Sequence, residues 1–230
     1  MWAIVPIKRL EAGKQRLAEV LDNYARRVLS RAMAEDVIGA LAETGGLDHI
    51  LLVTSDPAAM ELAERYGAQI LDDSNCLGLN AAVRAGIAHA AAHGADGVMI
   101  VHADAPLATK DEFELILAAH RAVPKNEPHV TIAPARDEGG TNCLALSPPD
   151  ALSPCYGEDS YTKHLEEAKA RGVAARTLAL PGIGLDIDTR ADLEALVLTP
   201  GECRAQRVLR DIGVSRRLRT PKYTAQKKTA

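Results

Sequence analysis

In the stretch GVMIVHADAPL (residues 97–107), an apolar run stops on an acid, Asp104. Val98 to Val101 read as a buried strand. Pro106 cannot donate to a strand ladder and biases Ala105 away from helix, so the strand must finish here. Asp104 is thereby expected at the carboxyl end of a central strand. A second pair of acids, Asp186 and Asp188, lies in LPGIGLDIDTRADLEAL (residues 180–196). Strand alternation would put both on one face if the strand ran through them. The strand is expected to end here, so Asp186 alone is expected in the crevice, with Asp188 turned toward the next helix start. Acids before a capped helix also serve as simple caps. Beside Asp104, however, two hard oxygen ligands from separate strand ends are what magnesium on a phosphate needs.

Cations come directly after the first strand. PIKRLEAGKQRLAEVL (residues 6–21) carries Lys8, Arg9, Lys14 and Arg16, a set suited to a polyphosphate or, more plainly, to a solvated basic loop. Gly13 is its only glycine, so neither G-x-G-x-x-G nor a Walker A loop is present. A dinucleotide-binding dehydrogenase and a P-loop ATPase are both disfavoured.

Three further segments could meet a ligand. In CLGLNAAVRAG (residues 76–86), Gly78, Leu79 and Asn80 stand at a helix start whose free N–H groups suit a base or phosphate, or an ordinary cap. In DEGGTNCLAL (residues 137–146), Gly139 and Gly140 allow close backbone approach, or merely turn the chain, and Thr141 offers a hydroxyl. In YGEDSYTKH (residues 156–164), Gly157 precedes Ser160 at a helix N-terminus, with Lys163 and His164 one turn on. His89 and His93 share a helix face without a third ligand or an H-E-x-x-H glutamate, and read as surface histidines. No G-x-S-x-G elbow or Cys/His arrangement supports covalent hydrolysis.

These residues must be positioned by alternating strands and helices. Strands are expected at Ala3–Pro6, Ile50–Thr54, Ala68–Leu71, 97–102, Val130–Ala133, Cys143–Ser147, Ala174–Leu180 and Leu185–Asp188. Helices are expected from the Asp22 cap to about Glu43, over Pro57–Tyr66, Leu79–His93, from a Thr109/Glu112 capping box to Ala122, and over Ser160–Arg171. Another follows the Thr189/Asp192 cap. Thr199, Pro200 and Glu202 announce the last, to about Ile212. The alternation implies an α/β fold, a mostly parallel doubly wound sheet with helices on both faces. Two consecutive strands after residue 125 imply a small antiparallel insertion. Ligands of such sheets bind at the carboxyl ends of the strands, at a topological switch point.

The 230 residues are 47% hydrophobic and 25% charged, ordinary for a soluble globular chain of one large domain. No apolar run reaches a membrane span, and MWAIVPIKRL lacks a signal-peptide layout. Cys76, Cys143, Cys155 and Cys203 form no C-x-x-C pair, so neither a disulfide framework nor a zinc site is suggested, and a reducing cytoplasm is expected. The net charge of −4 is uneven: residues 1–213 hold 21 basic against 31 acidic residues, a net of −10, and residues 214–230 hold six basic residues and no acid. The division expected is one domain over 1–213 and a basic, disordered tail over 214–230.

IVPIKRLEAGKQRLA, LGLNAAVRAG, VHADAPL, EGGTNCLAL, YGEDSYTKH and GLDIDTRADL fall in the order seen in 2-phospho-L-lactate guanylyltransferases. Over residues 2 to about 197 the chain resembles that family, which includes phosphoenolpyruvate and 3-phospho-D-glycerate guanylyltransferases. The fold it implies is the nucleotide-diphospho-sugar transferase-like one shared with molybdenum cofactor guanylyltransferase. The activity it implies joins GMP from GTP to a phosphorylated three-carbon acid, releasing pyrophosphate, in the making of a deazaflavin coenzyme of the F-420 type. By motif, Asp104 and Asp186 match magnesium-binding aspartates. Lys8, Lys14 and Arg16 match the triphosphate side, Gly78, Leu79 and Asn80 the nucleoside side, and Thr141, Gly157 and Ser160 the surroundings of the acid. His102 departs from the apolar residue usual before ADAP. The implied partners are GTP and the acid, with neither membrane nor nucleic acid. The final helix and tail are candidates for packing on a second copy, and the next enzyme is a candidate to receive the product. The same fold acting on a sugar phosphate or a pterin, or a non-catalytic nucleotide-binding scaffold, remain alternatives.

Overall fold

A computed structural model describes residues 1–8, 10, 14–124, 127–214 and 218. Seven strands form one sheet: β1 (Trp2–Pro6), β2 (His49–Val53), β3 (Gln69–Leu71), β4 (Val98–Val101), β5 (His129–Pro134), β6 (Thr141–Ser147) and β7 (Ala174–Thr177). Their order across the sheet is β3-β2-β1-β4-β6-β5-β7. β6 alone runs antiparallel to its neighbours, pairing Val101 with Cys143 on one side and Ile132 with Leu144 on the other. The α/β expectation holds, and the antiparallel insertion is that one strand.

The strands alternate between two cores. Ala3, Val5, Leu52, Met99, Val101, Cys143 and Ala145 face α1 (Asn23–Glu43), α2 (Pro57–Tyr66) and α4 (Lys110–Arg121), through Val37, Ile38, Leu62, Phe113 and Ile116. Trp2, Ile4, Leu51, Val53, Ile100, Ile132 and Leu144 face the other way. They meet α3 (Leu79–Ala92) and α5 (Ser160–Arg171) through Val83, Ile87 and Ala168. Both faces of the central strands are covered, which is why β1 and β4 read as unbroken apolar runs. α3 sits so close that a Cβ on Gly86 would fall 2.7 Å from Ile4 Cγ2 and 2.9 Å from Val53 Cγ2.

Helix starts follow the capping chemistry. Asp22 accepts from Ala25 N, Asp56 from Ala58 N, and Thr109 and Thr189 close reciprocal boxes with Glu112 and Asp192. α6 (Arg190–Leu198) and α7 (Arg204–Asp211) pack with α1, Leu17, Leu21 and Ile187 in a third cluster. α7 begins later than Thr199–Glu202 suggested. Its first N–H groups are received by the buried carboxylate of Asp36 on α1, from Arg204 N and Ala205 N at 2.9 Å each. The strand expected at Leu185–Asp188 is absent: the chain leaves β7 at Thr177 and turns at Gly184, whose N–H donates to Leu180 O at 2.8 Å.

Val214 is buried and Leu218 packs on the third cluster, so the folded part passes residue 213. The remaining residues of the basic tail, and Arg9, lie outside the described residues. No helix among the described residues is long and apolar enough to cross a membrane.

Candidate functional site

The chain builds β1, β2 and β3 outward in one direction, then returns to place β4 on the other side of β1. The carboxyl ends of β1 and β4 therefore frame the switch point. The loop after β1 carries Lys14 in a left-handed conformation (φ 58°, ψ 42°) ahead of a 3-10 turn, Gln15–Leu17, pinned by buried Leu17. This geometry carries the Lys14 ammonium inward, to 2.7 Å from Asp104 Oδ2 and 2.6 Å from Asp188 Oδ1. The lysine side chain is 10% exposed, so this is not a solvent-screened surface pair. Burial by itself would lower the Lys14 pKa, but the two carboxylates outweigh it and push it up to about 12. Burial likewise opposes ionisation of Asp104, and Lys14 with His102 reverses that, holding the carboxyl below its usual range.

Asp188 was expected to turn away, and it does not. Ile187 is fully buried and its N–H donates to the Asp104 carbonyl at 3.0 Å, which ties residues 186–188 to the end of β4 although no strand forms. The two acids flanking Ile187 both come close to Asp104: Asp188 shares the Lys14 ammonium with it, and Asp186 lies within reach of its charge. The cap for α6 is supplied instead by Asp192, which accepts from Asp188 N and Thr189 N. Asp186 Oδ1 accepts from Asn142 Nδ2 at 3.0 Å. Burial raises the Asp186 pKa, and the charges of Asp104 and Asp188 add to that against the Asn142 hydrogen bond.

The donor set fits a hard divalent cation. Asp104 Oδ1 is buried without a hydrogen-bond partner, and Asp186 needs a positive charge to offset its acidic neighbours. No group of three or more His, Cys, Asp or Glu among the described residues forms a ready metal cage. One or two carboxylates completed by phosphate oxygens is the manner in which magnesium is commonly held.

Two adjoining cavities open here. One of about 220 Å³ is lined by Lys8, Lys14, Leu79, His102 and Asp104, and one of about 430 Å³ by Lys8, Asp73, Ser74, Gly78 and Leu79. The expected cations and the α3 start thus converge, with Lys8 and Leu79 common to both. Arg16 lies exposed on the 3-10 turn and lines neither. Asn80 also lines neither: its carboxamide pairs with the backbone of Tyr156, Nδ2 donating to the carbonyl at 2.9 Å and Oδ1 accepting the N–H at 2.7 Å. A larger cavity, of about 940 Å³, lies behind Leu107 and Leu185, with many alanine, leucine and proline walls. It reaches neither Asp104 nor Lys14, whereas the smaller pair collects the charged residues Lys8, Lys14, Asp73 and Asp104.

The residues expected around an acid substrate are brought together, but their hydroxyls point inward. Thr141 and Ser160 are buried, and Ser160 Oγ accepts the Thr141 N–H at 3.0 Å. Cys155 N–H donates to His164 Nε2 at 2.9 Å, so a neutral His164 must carry its proton on Nδ1. That proton is donated to Thr141 Oγ1 at 2.9 Å. Burial, with a further contribution from His102, lowers the His164 pKa to about 4 and keeps the ring neutral. Both hydroxyls are thus engaged within the protein, where they tie β6, the 153–157 loop and α5 to one another. Gly157 takes a torsion that favours glycine (φ +133°), and no protein atom lies within 4 Å of a Cβ built there, so the space beside it is open.

Asn142 and Tyr156 were not singled out from the sequence. Asn142, which donates to Asp186, carried a signal as an amide inside the apolar strand TNCLAL, and His164 was noted only for its place one turn into α5. His102 is half-buried, its ring 4.9 Å from that of Tyr156, and its Nε2 has no partner.

Over residues 1–228 the sequence matches the family described as "Guanylyl transferase CofC like". It is similar to the phosphoenolpyruvate guanylyltransferase of Conexibacter woesei, 41% identical over 195 residues, covering 85% of this chain and 86% of that one. It is 32% identical to the 3-phospho-D-glycerate guanylyltransferase of Colwellia psychrerythraea, covering 85% and 90%. Among solved structures, a nucleotide-diphospho-sugar transferase from Desulfovibrio desulfuricans G20, so described as putative, superposes with a TM-score of 0.74. It is 21% identical, over 94% of this chain and 97% of that one, a likeness of fold.

Proposed function

The chain belongs to the CofC-like guanylyl transferase family, and on that premise we propose that it transfers GMP from GTP to a phosphorylated three-carbon acid. Phosphoenolpyruvate is the acid we favour, because the relative named for it is 41% identical against 32% for the one named for 3-phospho-D-glycerate. The place we assign it is deazaflavin coenzyme F-420 biosynthesis in the cytoplasm.

The observation that carries this reading is the Lys14 ammonium held between Asp104 and Asp188 at the switch point. In the proposed reaction, a phosphate oxygen of the acid forms a bond to the α-phosphorus of GTP. The bond from that phosphorus to the β-phosphate oxygen breaks, and pyrophosphate leaves. The nucleophile is already ionised at neutral pH, so no general base is required. What remains is to hold two anions in line and neutralise the charge between them. Lys14 supplies a permanent positive charge, Lys8 a second one at the cavity mouth, and Arg16 a third from the neighbouring turn. Gly78 and Leu79 present the α3 start to the nucleoside. The backbone around Gly157 and the opening of α5, held by Thr141, Ser160 and His164, faces the acid. Asp104 and Asp186 are the residues that would hold magnesium, which when bound supplies further neutralisation of phosphate charge.

Pyrophosphate release, with product mass spectrometry, tests the proposal using GTP, magnesium and each of the three acids in turn. A guanylylated phosphoenolpyruvate is the expected product. Turnover confined to another acid would change the substrate, and no GTP-dependent turnover with any acid would overturn the activity.

A further inference from the structure

Asn80 sits in the second position of α3, on the helix whose start borders the cavities shared with Lys8. Its carboxamide is engaged elsewhere. Both hydrogen bonds go to one residue, Tyr156, 76 positions along the chain, and they satisfy both backbone groups of that residue. The pair is a substitute for a strand partner in a loop that has none. Tyr156 is itself buried, with its ring 4.9 Å from His102 and 5.2 Å from His164. Gly157 follows at φ +133°, and α5 begins three residues later.

The clamp therefore joins two halves of the crevice that come from separate parts of the chain. On one side is the α3 start, on the other the loop whose torsions set the direction of the α5 N-terminus. Leu79, one residue earlier, lines both small cavities, whereas Asn80 lines neither. We infer, on the reading of the reaction given above, that Asn80 is a positioning residue for the acid: it belongs to the nucleotide-side helix but fixes the loop on the acid side. Without the clamp, the Tyr156 N–H and carbonyl lose the side-chain partner they share among the described residues, and the 153–157 loop gains freedom that acid binding must then remove.

The test is a division of Michaelis constants. In Asn80→Ala, the KM for phosphoenolpyruvate at saturating GTP should rise about tenfold, the order expected for losing one to two net hydrogen bonds. The KM for GTP at saturating acid should stay within about twofold. Asn80→Asp keeps an acceptor for the Tyr156 N–H and sets a carboxylate oxygen against its carbonyl, so it should shift the acid constant in the same direction. A GTP constant that rises as much as the acid constant, or an acid constant unchanged in both variants, overturns the inference. Amide exchange on the wild-type chain without ligands provides an arm that needs no variant to fold. The Tyr156 N–H should be protected, and exchange at an unprotected rate overturns the inference as well. Absence of any GTP-dependent turnover in the wild type would instead remove the reaction, while exchange at Tyr156 still reports on the clamp.

Discussion

The backbone N–H of Ile187 donates to the carbonyl oxygen of Asp104 at 3.0 Å. That bond joins two acid-bearing segments more than eighty residues apart. It ties the second one to the end of β4, with Asp188 sharing Lys14 with Asp104 and Asp186 within reach of the Asp104 charge.

Removing any one of the three carboxylates should therefore be costly. Asp104→Asn and Asp186→Asn are each expected to lower kcat/KM by about a hundredfold or more, the scale of losing a group aimed at developing charge. Asp188→Asn should also fall well below wild type, because it releases one of the two anchors of Lys14. Steady-state kinetics with thermal melting separates this from unfolding. An Asp188→Asn enzyme at wild-type rate would show that Lys14 needs Asp104 alone.

Ser160→Ala is expected to lower stability as well as activity. Its hydroxyl accepts the Thr141 N–H inside the protein, and a buried donor left without a partner costs about 1–3 kcal/mol. Urea unfolding should show the loss. A weaker affinity for the acid with unchanged stability would mean that the hydroxyl contacts the ligand directly.

Acidification should weaken the fold before the carboxylates titrate in bulk. His120 is held at about 4 by burial, then by neighbouring His129 and Arg121, and His164 at about 4 by burial, then His102. Both folded values lie below the value of about 6.5 for an unfolded histidine, so the unfolded chain binds more protons between these limits. The contribution is thus complete above about pH 6.5 and is lost as pH falls toward about 4. Urea midpoints at pH 7.5 and 5.0 should differ, and His120→Gln should reduce the difference. An unchanged slope in that variant would remove His120 from the account.

The carboxyl terminus should divide at residue 218. Deleting 219–230 leaves Val214 and Leu218 in their cluster, and turnover should stay near wild type. Deleting 214–230 removes a valine that is 1% exposed, worth about 1.5–3 kcal/mol of burial, and should lower the melting temperature. Equal melting temperatures for the two truncations would contradict the packing.

Local chemistry made most of the fold legible in the sequence. Pro57 at a helix start, the Thr109/Glu112 box and the apolar runs at Ile4 and Ile100 each act within a few residues, and each marks its element to within a residue or two. What could not be read depends on partners far along the chain. α7 starts where Asp36, on α1, can receive its N–H groups. Asp188 faces inward because of a bond to Asp104, and Asn80 faces Tyr156 across 76 positions. At Thr141 and Ser160 the residue type indicated a polar role without indicating the partner. Their hydroxyls found buried groups of the protein, an outcome that helix and strand periodicity do not encode.

β6 runs against every strand beside it, so its first residues, and not its last, arrive at the crevice. The hairpin that feeds it, residues 135–140, hangs outside the ladder and lines the larger cavity through Ala135, Arg136 and Glu138. Adding residues there lengthens a loop, at a cost that grows only slowly with length, and moves one wall of that cavity while every strand keeps its register. The opposite end, at Ser147, has no such latitude, because it lies beside the amino ends of β4 and β5, away from the crevice. A chain built this way can reshape the larger cavity by changing one hairpin, with the carboxylates and Lys14 left in place.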